Sequence, residues 1–133
     1  MERGNQLSTT EHDFSTPIEA IESAYEFMLA YAAQGRESDK GTSGRSEIRD
    51  ILTSLANALV ELQNIPANEA LPAAFQDFAE TLATDASHAG RAVELVVSQP
   101  RISSQLVDNL NASIHLRAVL TDLFLIDEAF KCR

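Results

Sequence analysis

The chain has 133 residues, the usual size of one domain, and its 20 acidic and 10 basic groups give a net charge of −10. Nucleic-acid binding depends on basic side chains that displace counterions from phosphates, so this balance argues against nucleic acid and anionic membranes as partners. Aromatic residues make up 6% of the chain and Trp is absent, a composition that favours helices over strands. We therefore expect a single acidic, all-α domain.

The N-terminal residues offer little that could dock on a core. Only Leu7 and Phe14 are large and apolar there, so we expect a flexible tail over 1–15 and one domain over 16–133. The tail lacks the apolar stretch of a secretory signal, and no apolar run of the chain is long enough to span a bilayer. These features predict a cytoplasmic protein with no membrane partner.

Two shorter helices are expected in the first half, over about 16–34 and 46–64. The first opens with T-P-I-E, a capping box with proline at the first helical position, and ends at Gly35. The second carries one apolar face and cannot continue past Pro66. The connection over 35–45 holds three of the five glycines and no large apolar side chain, which predicts a flexible loop.

Two longer helices are expected in the second half, over about 72–98 and 103–132. The apolar stripe of the third helix continues past Gly90, so we predict one helix with room for a kink there. Short links, one around Pro100, force neighbouring helices to run antiparallel. The predicted fold is an antiparallel, up-down-up-down four-helix bundle with two shorter and two longer helices.

The last helix carries more apolar surface than one core face needs. Leu120 and Phe124 continue the core face of its first turns. Five other apolar residues are spaced 3, 4, 3, 4 and form a short coiled-coil-like seam. The seam is either buried in the monomer or packed against a second protein. Its residues are Leu116, Val119, Leu123, Ile126 and Phe130.

A phosphoacceptor site at His88 is the first alternative. Helical phase places His88 off the apolar stripe of the third helix, with Asp85 and Arg91 one turn away on either side. A histidine phosphotransfer bundle needs an exposed histidine and a nearby cation that steadies the phosphoryl group. The Lys-Gly pair expected after such a histidine is replaced by Ala89-Gly90, which weakens this hypothesis.

A metal-binding bundle is the second alternative. Asp85-x-x-His88 presents two kinds of ligand one turn apart, but His115 on the last helix has no Glu three residues before it. Glutamates of the first helix lie beside its apolar stripe, where solvation explains them. We therefore predict no metal site and no cofactor.

No catalytic constellation emerges from the sequence. Cys132, the single cysteine, lies beside the C-terminus, and there is no nucleophile motif or phosphate-binding loop. We therefore predict a non-enzymatic helical interaction or regulatory module. Its expected partner is another protein, including a second copy of the chain in a homodimer.

Overall fold

The computed structural model describes residues 14–41, 46–64 and 71–133, and these residues form five α-helices and no strand. The prediction of an all-α protein is confirmed. Residues 1–13 of the predicted tail lie outside the described residues, but Phe14 is buried in the core and Ser15 begins the first helix, so the tail does not extend over 14–15. In chain order the helices are α1 (Ser15–Ala32), α2 (Glu47–Gln63), α3 (Ala73–Val97), α4 (Ser104–Ala112) and α5 (Ile114–Lys131).

A single apolar core runs through all five helices. α1 packs on α2 and α4, α2 packs on α3, and α3 packs on α5. α3 continues unbroken through Gly90, where an added methyl group would meet ordinary contacts at 3.7 Å from Gln63 Nε2 and 3.9 Å from Leu59. The largest fully buried side chains include Ile21, Met28, Ile48, Leu52, Leu59, Leu82, Ile102, Leu116 and Leu123.

The predicted continuous helix over 103–132 is wrong, because the chain leaves the helix at Ser113. This residue is extended (φ −68°, ψ 153°) and separates α4 from α5. Its hydroxyl donates to the carbonyl of Leu110 at 2.7 Å, and its backbone N–H donates to Asn109 at 3.1 Å. Serine competes for backbone groups in this way, and here it satisfies a carbonyl at the end of α4.

The break at Ser113 changes which side of the last helix faces the core. At about 100° per residue, an unbroken helix would carry the core face of α4, centred on Val107, onto Ile114 and Leu125. In the structure Ile114 and Leu125 are instead 68% and 57% exposed. Leu120 is half-buried and packs against the core, whereas Phe124 is 47% exposed, so the prediction that Phe124 continues the core face is corrected. The extended residue has turned α5 about its own axis.

The described part of the loop after α1 is bonded to the turn before α4. Arg36 and Ser104 exchange two hydrogen bonds of 2.8 Å, one through the Ser104 hydroxyl. Buried Asp39 accepts from the backbone N–H of Ile102 at 2.8 Å and from Arg49 Nε at 3.2 Å. We call these five residues the loop clamp. They hold this loop in place, while residues 42–45 lie outside the described residues.

Candidate functional site

The predicted interaction seam lies inside the molecule. Phe130, the last of the seam residues, is half-buried, with ring centroids 5.6 Å from Phe14 and 4.8 Å from Phe75. Most of the seam therefore belongs to the monomer core in this structure. The other four side chains are 5% exposed or less: Leu116, Val119, Leu123 and Ile126.

The opposite side of α5 carries exposed apolar groups. Among the described residues, six large apolar side chains are strongly exposed, and three of them lie on this one helix. The other three, Leu29, Val60 and Leu95, are distributed over α1, α2 and α3. Sequence reasoning missed this surface because its phase depends on the break before α5. We define the outer face of α5 as Ile114, Arg117, Thr121, Phe124, Leu125 and Glu128.

Charge on the outer face of α5 is balanced. Arg117 and Glu128 are both exposed, and neither forms an ion pair with another described residue. The guanidinium of Arg117 has only a long contact of 3.5 Å to the carbonyl of Ala112. The two residues lie eleven positions apart, about 16 Å along the helix.

A second cluster lies where α3 and α5 meet at the surface. The rings of His88 and His115 meet edge to face, with centroids 6.3 Å apart. One turn from His88, the Asp85 carboxyl is hydrogen-bonded to the carboxyl of Asp122 on α5. We call these four residues the polar ladder. Sequence reasoning identified Asp85 and His88 but not their partners, because the residues of α5 that face α3 depend on the break at Ser113.

Asp122 is the member of the polar ladder whose pKa is displaced. Burial, the hydrogen bond with Asp85 and repulsion by the Asp85 charge together raise the pKa of Asp122 to about 7. Its Oδ2 atom is inaccessible and has no hydrogen-bond partner among the described residues. The two carboxyl groups are therefore most stable when they share a proton.

Of the requirements for a phosphoacceptor site, the structure meets the solvent exposure of the histidine. His88 and Arg91 are both exposed on α3. The ring of His115 lies beside that of His88, and Asp85, one turn before His88, is paired with Asp122; carboxylates repel a phosphoryl group. Phosphotransfer stays a prediction that this geometry does not strengthen.

The described residues contain no ready-made metal centre. No three or more His, Cys, Asp or Glu side chains of the described ranges are placed to hold a metal ion together. Glu19, Glu22 and Glu26 form an exposed line along α1, without an ion pair to a described residue. Cys132 is exposed at the end of the chain.

An open cleft of about 560 Å³ adjoins the start of α4, but its hydroxyl groups are already engaged. Ser103 accepts from the backbone N–H of Leu106 at 3.0 Å. Ser104 donates to the carbonyl of Tyr31 at 2.7 Å and accepts from Arg36. These hydroxyls serve the fold, and the cleft is not a candidate site.

No family of known proteins, no curated protein and no solved structure matches this chain. Within the ranges that the structure describes, no helix is both long and apolar enough to cross a membrane.

Proposed function

We propose that this chain is a non-enzymatic helical interaction module that associates with a second copy of itself through the outer face of α5. The observation that carries the proposal is the concentration of Ile114, Phe124 and Leu125 on one exposed helix side. Burial of such side chains is worth about 1.5–3 kcal/mol each when it is complete. Exposed apolar groups that gather on one side of a helix favour an interaction site.

A second copy fits this face because its charges are self-complementary. In a two-fold dimer each contact occurs twice, so residue i meets j and j meets i. A two-fold axis that crosses α5 halfway between Arg117 and Glu128 places each arginine against the partner's glutamate. The line of Glu19, Glu22 and Glu26 on α1 would instead repel a second copy. Charge therefore favours α5 over α1 as the contact.

The proposed dimer is a weak one. α5 has 18 residues, which makes it about 27 Å long. The contact of two such helices is small beside the ~800 Å² per partner of stable complexes, so we expect a transient dimer. Exchange between monomer and dimer would suit a regulatory module.

We also propose an up-down-up-down bundle in which α4 and α5 together form the fourth arm. Two contacts support the antiparallel direction of α1 and this arm: Phe14 meets Phe130 at 5.6 Å, and the Tyr31 hydroxyl donates to Ile102 at 2.6 Å. The proposal treats residues 16–133 as one domain. Its acidic composition and single cysteine favour a cytoplasmic location.

Paired substitutions of neighbouring residues test the proposed interface. Leu125→Glu should leave the circular dichroism unchanged and shift the light-scattering mass to that of a monomer. Leu95→Glu is the matched control, because Leu95 is similarly exposed but lies on α3, and this variant should keep the dimer. Ile126→Glu should unfold the protein, since Ile126 is only 5% exposed. A wild-type protein that stays monomeric up to near-millimolar concentration would contradict the proposed dimer.

A charge exchange tests the two-fold geometry. Arg117→Glu or Glu128→Arg alone should weaken self-association several-fold, because like charges then meet twice in each dimer. A mixture of these two variants should associate again, since every contact between unlike chains is then attractive. If the mixture associates no better than either variant alone, the proposed antiparallel pairing is incorrect.

A further inference from the structure

The histidine pair of the polar ladder has the arrangement of two metal ligands. His88 is exposed on α3 and His115 is partly exposed on α5, and each side chain projects from a helix of at least 18 residues. A metal ion about 2.0–2.1 Å from one nitrogen of each ring places the ring centroids roughly 5–6.5 Å apart, depending on the angle at the metal. The observed separation is 6.3 Å, so the two rings must approach each other by about 1 Å to reach the roughly 5 Å spacing of a tetrahedral ion. Ring rotation about χ2 is soft, so both rings can turn a nitrogen to one ion.

We propose that His88 and His115 bind one divalent transition-metal ion, with Zn²⁺ as the representative case, and that water completes its coordination. Imidazole is a preferred ligand of Zn²⁺, Cu²⁺ and Ni²⁺, whereas Mg²⁺ and Ca²⁺ prefer oxygen ligands. Two protein ligands make a weaker site than the three or four of a resident metal centre. The site therefore takes an exchangeable ion, and it is distinct from the proposed contact on the outer face of α5.

The surroundings of the histidine pair hold both signs of charge, because the exposed Arg91 lies one turn after His88. Asp85 lies one turn before His88 on α3, and its carboxyl is bonded to that of Asp122 on α5. The chain as a whole carries a net charge of −10, which raises the local concentration of cations. Since the two ligands come from different helices, a bound ion would link α3 to α5 and would bind the folded state only.

Zn²⁺ titration of the full chain, followed by calorimetry, tests the site. All variants carry Cys132→Ser, because the exposed thiol is itself a zinc ligand. We expect one ion per chain, a rise in melting temperature on binding, and at least a tenfold loss of affinity in His88→Gln and in His115→Gln. His12→Gln, which alters the third histidine, is the control and should bind like the parent. Mg²⁺ should neither bind nor raise the melting temperature.

Several outcomes would overturn the proposal. These are no Zn²⁺ binding at near-millimolar metal, unchanged binding in the double variant of His88 and His115, and loss of binding in His12→Gln. A mixture of His88→Gln and His115→Gln chains separates a site within one chain from a bridge between chains. The mixture should bind no better than either variant, and restored binding with a doubled mass would contradict the site within one chain.

Discussion

Asp39 in the loop clamp and Asp122 in the polar ladder are acids whose pKa values are displaced in opposite directions. Burial alone would raise the pKa of Asp39, but hydrogen bonds from Ile102, Ser46 and Arg49 lower it to about 2. Asp122 has another carboxyl as its partner, so its pKa rises to about 7. The partners, rather than burial itself, decide whether an acid stabilises this fold as an anion or as a neutral group.

Removal of the Asp39 carboxylate should have the largest effect. Asp39→Ala leaves the Ile102 N–H and the Arg49 guanidinium without their acceptor, so we expect a loss of about 3 kcal/mol in the free energy of unfolding at pH 7. Glu37→Ala, an exposed acid of the same loop, should change stability by less than about 0.5 kcal/mol. Chemical denaturation measures both free energies of unfolding. Equal losses in the two variants would show that the loop clamp is not the cause of the loss in Asp39→Ala.

The pH dependence of Asp122 should be the reverse of that of Asp39. A folded pKa of about 7 against the usual 3.8 means that the protonated Asp122 stabilises the fold below about pH 4, and this contribution is lost as the pH rises through 7. Asn resembles the protonated acid. Asp122→Asn should therefore match the wild type near pH 4 and exceed it by about 2 kcal/mol at pH 8, a value reduced for partial exposure.

Unfolding curves across this pH range check the Asp122 prediction. Asp108→Asn, at an exposed position on α4, is the control and should follow the wild-type profile. The lowered pKa of Asp39 acts in the other direction, because its contribution is present above about pH 4 and is lost as the pH falls through 2. An Asp122→Asn profile parallel to that of the wild type would refute the shared proton.

Two buried polar residues of α4 are neutral, and their substitution should change the stability least. Asn111 is 5% exposed, and both polar atoms of its side chain lack a hydrogen-bond partner among the described residues. Ser104 is equally buried but bonds Tyr31 and Arg36. Asn111→Leu should raise the melting temperature by the equivalent of about 1 kcal/mol, while Ser104→Ala should cost about 1–2 kcal/mol. A loss in Asn111→Leu would reveal a partner for the amide, such as a buried water.

Helical periodicity was enough to predict the all-α class and the approximate limits of the first three helices. α1, α2 and α3 begin within one residue of the predicted positions, and Ser46 and Pro72 are the N-cap residues of α2 and α3. The predicted capping box of α1 is wrong, because that helix begins at Ser15 with Phe14 as its N-cap and Pro17 is its third residue. The exposure of His88 also followed from phase within a single helix. These features depend on residues within a few turns of one another, which is the range over which sequence patterns act.

Only the tertiary structure decided the phase of α5 and the partners that it brings to α3. Ser113 resembles any serine within a helical pattern, and its departure from the helix places the seam in the core and exposes Ile114 and Leu125. The pairs His88–His115 and Asp85–Asp122 arise from the same rotation. A change of one residue in helical phase redirects every later side chain, so packing against the other helices, rather than local propensity, fixes these contacts.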